Sequence, residues 1–202
     1  MVEDDRSDER ASVGRRLILG GARSGKTAHA LALAKSLSEA RGVNVTYVAT
    51  AQALDQEMQH RISLHRAERP ARWHTLEAPT GLAQALQAED ASAILVIDCM
   101  TLWLSNALLK DFREDAPIAK LPAWESERAA FLQWLQASRR DVLLISNEVG
   151  QGIVPLAPVA RRFQDEQGRL NQALAATCDE VTLVVAGIAV PIKAFDGGRL
   201  TT

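Results

Sequence analysis

Gly20-Gly21-Ala22-Arg23-Ser24-Gly25-Lys26-Thr27 is the stretch on which the fold turns. It fits the pattern G-x-x-x-x-G-K-[ST], and each constrained position has a chemical reason. Glycines let backbone N–H groups turn inward around phosphate oxygens, the lysine reaches the outer phosphates, and the terminal hydroxyl ligates a magnesium ion. The N-terminus of a following helix adds the positive end of its dipole. Leu17, Ile18 and Leu19 precede the stretch as a buried strand would, and Ala28 to Leu37 follow with strong helix formers. Strand, phosphate loop and helix in that order predict an α/β P-loop domain; the competing reading is an ordinary glycine-rich strand-to-helix turn.

Working outward, Val45 to Thr50 reads as a second buried strand, and its polar end Thr50-Ala51-Gln52 falls where ligands gather beyond the carboxyl ends of parallel strands. A plain loop is the alternative there. Leu54 to Ala67 has helical spacing, with Leu54, Met58 and Ile62 on one face and Arg61 and His65 returning to it, while His60 and Arg66 point elsewhere. An inward histidine is either a satisfied core residue or a catalytic one, and the spacing leaves both open. Arg69-Pro70 ends that helix, and Trp73 to Glu77 predicts a short strand with Glu77 at its carboxyl end. Ala93 to Asp98 is an apolar run closing on an acid, as expected of the strand that carries a magnesium-organising carboxylate. Asp98 as a cap for a helix starting near Thr101 is the other reading.

Lys110 to Pro122 turns polar and predicts a surface loop; Ala123 to Arg139 predicts a helix with Trp124, Phe131, Trp134 and Leu135 facing the core. Val142 to Ser146 is another buried strand, and Glu148, just beyond it, is either a general base or water-mediated metal ligand, or a solvated acid. Val159 to Thr177 predicts a helix whose Arg161, Arg162, Asp165, Arg169 and Asn171 are expected to be mostly solvated. Glu180 to Gly187 reads as the last strand. Alternating apolar strands and helices imply a mostly parallel sheet covered on both faces, a three-layer P-loop domain.

Composition narrows the partners. At 202 residues and 47% hydrophobic, the chain is large enough for one domain with a full core. A formal net charge of −2 offers no basic stripe for nucleic acid, and no apolar run is long enough to cross a bilayer. Cys99 and Cys178 are isolated, which fits a reducing cytoplasm and small buried side chains better than zinc or a disulfide. Residues 1–14 are acidic, basic and poor in apolar side chains and are expected to form a disordered tail, followed by a single domain over 15–193 and a short tail over 194–202. A phosphate loop alone does not separate a small-molecule kinase from a nucleotide-gated binding module of RecA type.

The combination of GGARSGKT, YVAT with LDQEM and RISLHRAERPARWHTLE, VIDCMTLWLSN, SNEVGQGIVP, RRFQDEQGRLNQALA and VTLVVAG resembles the bifunctional adenosylcobinamide kinase/adenosylcobinamide-phosphate guanylyltransferases of cobalamin biosynthesis, from about Leu17 to Lys193. The resemblance implies a RecA-like fold, a homotrimer with active sites near subunit boundaries, and a corrinoid substrate. The implied chemistry is phosphorylation of the aminopropanol hydroxyl of adenosylcobinamide by ATP or GTP, followed by GMP transfer from GTP through a guanylylated histidine. That histidine corresponds to His65. Nucleotide-contacting positions correspond to Gly20, Gly21, Ala22, Arg23, Ser24, Gly25, Lys26, Thr27, Thr50, Ala51, Gln52, Arg66, Ala67, Glu68, Arg69, Glu77 and Asp98, with Thr27 and Asp98 holding Mg2+ and Lys26 and His65 in catalytic roles.

A chemical argument stands beside the resemblance. An imidazole with an unperturbed pKa of about 6.5 is mostly neutral at cytosolic pH, so it can attack the α-phosphorus of GTP and split one transfer into two displacements. The kinase step needs no protein nucleophile, because the substrate hydroxyl attacks the γ-phosphorus. His65 is therefore expected to matter less there.

Overall fold

The computed structural model describes residues 13–67, 69–90, 93–111, 121–196 and 199–201. Its centre is a sheet in the order β3-β2-β4-β5-β1-β6-β7-β8. The strands are β1 (Arg15–Gly20), β2 (Val45–Ala49), β3 (His74–Glu77), β4 (Ile94–Asp98), β5 (Val142–Asn147), β6 (Glu180–Val185), β7 (Ile188–Asp196) and β8 (Arg199–Thr201). β1 to β6 run parallel, and β7 and β8 add antiparallel at one edge. Parallel pairing follows from the helices that return the chain between strands: α1 (Lys26–Arg41), α2 (Gln56–Ala67), α3 (Leu82–Gln87), α4 (Met100–Asp111), α5 (Pro122–Ala137) and α6 (Pro158–Thr177).

The central strands carry unbroken apolar runs, Leu17 to Leu19, Ile94 to Ile97 and Val142 to Ile145, because both faces are covered there, and the period of two sorts their side chains. Leu17 and Leu19, Leu95 and Ile97, and Val142 and Leu144 enter the core under α3 to α6. Ile18, Ile94, Val96, Leu143 and Ile145 enter the core on the α1 side. There α1 presents Ala30 and Ala34, both fully buried, whose small side chains let the helix lie close to the sheet. On the other side Trp103 meets Trp124 edge-on at 4.9 Å and Phe131 at 5.2 Å, so α4 and α5 interlock through aromatic rings. The expected core stripe of α5 is present, with Trp134 only partly buried.

Three readings change. The strands do not end at Gly187: Ala186 and Gly187, at φ 51° and 81°, make a two-residue turn that joins β6 to β7. Such turns require positive φ at both central residues and are normally announced by Asn-Gly or Asp-Gly, so Ala-Gly hides one. Pro191 within β7 further masks a strand in sequence. Second, Leu54 is 73% exposed and precedes α2, whose described residues include none that is buried. Asp55 explains the later start, since its Oδ1 accepts from Met58 N–H at 2.7 Å, as an N-cap does. Third, α4 runs through Asp111, so helix covers the start of the loop read from Lys110; residues 112–120 of that loop lie outside the described residues.

Candidate active site

β1 to β6 point their carboxyl ends to the same edge, where the loop from Gly20, Thr50 to Gln52, Glu77 and Asp98 stand. At the end of β1 the chain enters the loop, and α1 begins at Lys26. Gly25 stands at φ 94°, where a side chain is strained, and a Cβ there would lie 3.2 Å from Gly187 Cα. The β6–β7 turn braces the loop directly, since Gly187 N–H donates to the Ser24 carbonyl at 2.8 Å. Lys26 is buried, and its ammonium donates to the Gly21 carbonyl at 2.9 Å across the loop. Burial lowers its pKa from the ordinary lysine value, partly offset by the neighbouring Cys99 and Asp98. Ser24 Oγ is buried without a hydrogen-bond partner among the described residues. Thr27 is half-buried in the first turn of α1.

Asp98 ends β4, the next strand but one from β1, with β5 between them. Its Oδ2 accepts from the Tyr47 hydroxyl at 2.6 Å. The β2 end is tied to it through backbone and side chain: Thr50 N–H donates to the Asp98 carbonyl at 3.1 Å, and Thr50 Oγ1 both donates to the Cys99 carbonyl and accepts from Cys99 N–H at 2.7 Å. Fully buried Thr50 thus spends its hydroxyl on holding β2 to β4. Asn106 of α4 completes the join by donating to the carbonyls of Thr50 at 2.8 Å and Pro79 at 3.0 Å. Ala51 and Gln52 follow half-buried, and Glu77 is exposed at the end of β3, opposite Ala49.

Glu148 follows β5 and its N–H donates to the Gly20 carbonyl at 3.2 Å, placing this acid beside the loop entrance; its Oε1 accepts from Gly150 N–H at 2.9 Å. A buried polar network lies below it: Gln167 donates to Ser146 Oγ and to Asn171 Oδ1, and Asn171 donates to the Asn147 carbonyl at 3.0 Å. Thr101 Oγ1 accepts from Asn147 N–H at 2.9 Å. These supports, with Tyr47 and Asn106, escape sequence reasoning because each acts through a partner at least twenty residues away.

Arg66 is exposed on the last turn of α2, and the Arg69 guanidinium carbon lies 3.3 Å from the centre of the Tyr47 ring. The backbone of His65 and Ala67 belongs to α2, while their side chains, and Glu68 entirely, lie outside the described residues. Cys99 and Cys178 are free and buried, and burial pushes both thiols up to about 12. A cleft of about 560 Å³ opens at the far, amino-terminal edge of the sheet, by Arg15, Arg139 and Arg140, and shares none of these residues.

A phosphate loop at the carboxyl edge of a mostly parallel sheet, with an acid two strands away, defines an α/β P-loop nucleotide-binding protein. More narrowly, the chain belongs to the cobinamide kinase/cobinamide phosphate guanyltransferase family, whose model matches residues 16–192. It is 47% identical to the bifunctional adenosylcobalamin biosynthesis protein CobP of Pseudomonas aeruginosa over 89% of this chain and 97% of that relative. To the CobU proteins of the same description from Escherichia coli and Salmonella typhimurium it is 41% identical, over 88% of this chain and 98% of each. Among solved structures, the flagellar accessory protein FlaH of Methanocaldococcus jannaschii matches with a TM-score of 0.45 and 14% identity, over 90% of this chain and 78% of that one.

Proposed function

We propose that this protein phosphorylates adenosylcobinamide on its aminopropanol hydroxyl with ATP or GTP and then transfers GMP from GTP, through His65, to give adenosylcobinamide-GDP. The observation that carries the reading is the phosphate loop with buried Lys26 set in the charge field of Asp98, in a chain that matches the family over nearly all of its domain. In the kinase step the substrate oxygen bonds to the γ-phosphorus and the bond to the β-phosphate oxygen breaks. Lys26 and the loop N–H groups stabilise the charge that builds on the departing diphosphate. In the second reaction an imidazole nitrogen of His65 bonds to the α-phosphorus of GTP and pyrophosphate leaves. A phosphate oxygen of the corrinoid then displaces the imidazole.

Thr27 and Asp98 fit magnesium by donor chemistry, as a hydroxyl and a carboxylate oxygen. Asp98 Oδ1 carries no hydrogen bond from a described residue. No cluster of three or more His, Cys, Asp or Glu side chains competes for a metal among the described residues, which suits an ion that takes its other ligands from phosphates and water. Bound with the nucleotide, magnesium would neutralise phosphate charge. Ala51, Gln52 and Glu77 stand at the carboxyl ends of β2 and β3, which supports contacts to nucleotide, and Arg66 is exposed on the last turn of α2. No described helix is long and apolar enough to cross a membrane. With a net charge of −2, this supports a cytoplasmic enzyme of small molecules, not nucleic acid. Exposed Ile188, Val190 and Ile192 on β7 support association between copies of the chain, and the family resemblance makes that assembly a homotrimer.

GTP labelled at the α-phosphorus tests the reading. Wild-type protein should retain acid-labile, alkali-stable label, His65→Ala should retain none, and transfer of γ-label to adenosylcobinamide should survive that substitution within about threefold, since it needs no protein nucleophile. Transfer of γ-label with no α-label on the wild type would leave a kinase alone.

A further inference from the structure

Tyr47 is the only tyrosine in the chain, and it is 2% exposed in the middle of β2. Its ring belongs to the core on the α1 side of the sheet. Parallel pairing sets Tyr47 opposite Val96 of β4, so Asp98, two residues further, projects from the same face. A diagonal neighbour at that offset is too far for a short side chain but within reach of a phenol. The hydroxyl donates to Asp98 Oδ2 at 2.6 Å, in the range of a charge-assisted bond. Burial raises the Tyr47 pKa above its ordinary value, the charge and hydrogen bond of Asp98 raise it further, and Arg69 opposes them. The proton therefore stays on the phenol, which acts as the donor to Asp98 Oδ2.

The other face of this arrangement is the ring. Arg69 lies over it at 3.3 Å, and Arg69 N–H donates to the Arg66 carbonyl at 3.4 Å, within the segment that leaves α2. Stacking of a guanidinium on a buried aromatic ring is attractive and orients both partners. One side chain thus touches both the carboxylate of the phosphate site and the segment that ends the helix bearing His65.

We propose that Tyr47 is a positioning residue for both transfers: its hydroxyl turns Asp98 so that Oδ1 faces the metal–nucleotide, and its ring seats Arg69, which fixes the end of α2 relative to the phosphate loop. This rests on the proposed function for its consequences in catalysis, but the contact itself is tested without catalysis. Because tyrosine occurs once, 3-fluorotyrosine labelling yields a single ¹⁹F resonance from Tyr47. In metal-free, nucleotide-free protein that resonance should move on Asp98→Asn and again on Arg69→Leu. If it is indifferent to both, the proposal is overturned, whatever the enzyme does.

Tyr47→Phe keeps the ring and removes the hydroxyl. Its half-saturating magnesium concentration for γ-transfer should rise about tenfold, as loss of a hydrogen bond to a charged group implies, while nucleotide affinity measured in EDTA stays within about twofold. Labelling at His65 under saturating magnesium should persist, because Arg69 keeps its seat. Tyr47→Leu should lose that labelling as well. An unchanged magnesium requirement in Tyr47→Phe, or an equal loss of EDTA-state affinity, would reduce Tyr47 to a core side chain.

Discussion

A Cβ placed on Gly20 would sit 2.4 Å from Ser24 Oγ and 2.6 Å from the Val184 carbonyl oxygen. The serine hydroxyl can rotate away, but the carbonyl belongs to β6, paired with β1 in register Gly20↔Val184, and has no room to withdraw. Gly20→Ala is therefore expected to force β1 and β6 apart at the loop entrance. Overpacking of this kind costs about 1–3 kcal/mol of stability, and nucleotide affinity should fall by more than tenfold because the loop N–H groups lose their common focus. Isothermal titration with GTP beside a denaturation curve checks both. A variant that binds GTP normally would show that the loop tolerates the side chain. At this scale the positions of the loop before α1 and of Asp98 at the end of β4 were legible in sequence because each is written in contiguous residues. Thr50 was legible only as a position: a hydroxyl at a strand end reads as a ligand contact, and its engagement with Cys99 depends on β2 and β4 being neighbours.

Among elements, the α5–α6 contact shows how charge patterns mislead. Glu166 is 4% exposed, yet it accepts from Trp124 Nε1 at 3.0 Å and Arg169 at 2.6 Å, with Arg162 at 3.3 Å and Arg128 at 3.6 Å. The arginines expected to be solvated along α6 are in part spent on a buried carboxylate that joins two helices. No periodicity reveals this, since Trp124 and Arg128 come from α5. Burial alone would raise the Glu166 pKa, but the hydrogen bonds from Trp124 and Arg169 and the charges of Arg162 and Arg169 outweigh it and hold it below its ordinary 4.5. A lowered folded-state pKa means that the ionised carboxylate stabilises the fold above the ordinary glutamate range, and that this contribution is lost as pH falls through the lowered value. Glu166→Gln should cost about 1–3 kcal/mol at neutral pH, and its deficit against wild type should shrink as pH falls below about 4.5. Urea denaturation at neutral and acid pH measures it; a deficit that is constant with pH would mean the charge contributes nothing. The hairpin of β6 and β7 was hidden for a related reason, because its turn uses alanine where sequence rules look for asparagine or aspartate.

For the whole molecule, the mostly parallel sheet covered on both faces was legible from the alternation of strands and helices, whereas the order of its strands and its outer edge were not, because both depend on which elements meet in space. β7 carries Ile188, Val190 and Ile192 at alternate positions, 67%, 44% and 52% exposed, with Val185 of β6 55% exposed opposite Ile188. The period of two puts Ile188 and Val190 on one face, and Ile192 follows at the bulge where the pairing shifts between Thr182–Pro191 and Val181–Lys193. A contiguous apolar row on a sheet edge invites association, and soluble proteins generally cover such rows or break them with charge. In the proposed homotrimer, neighbouring copies cover this row and complete sites near the subunit boundary. Light scattering should then give a mass about three times the 22.0 kDa of one chain. Replacing Ile188 and Ile192 together by glutamate should reduce it to that of one chain while circular dichroism stays unchanged, since both side chains are already more than half exposed. The monomer should also lose α-label on His65 by more than tenfold if a neighbouring copy closes the site, whereas a monomer that labels at full rate would place the complete guanylylation site within one chain. A wild type that scatters as a single chain would remove the trimer outright, and a double variant that keeps the triple mass would move the interface away from β7.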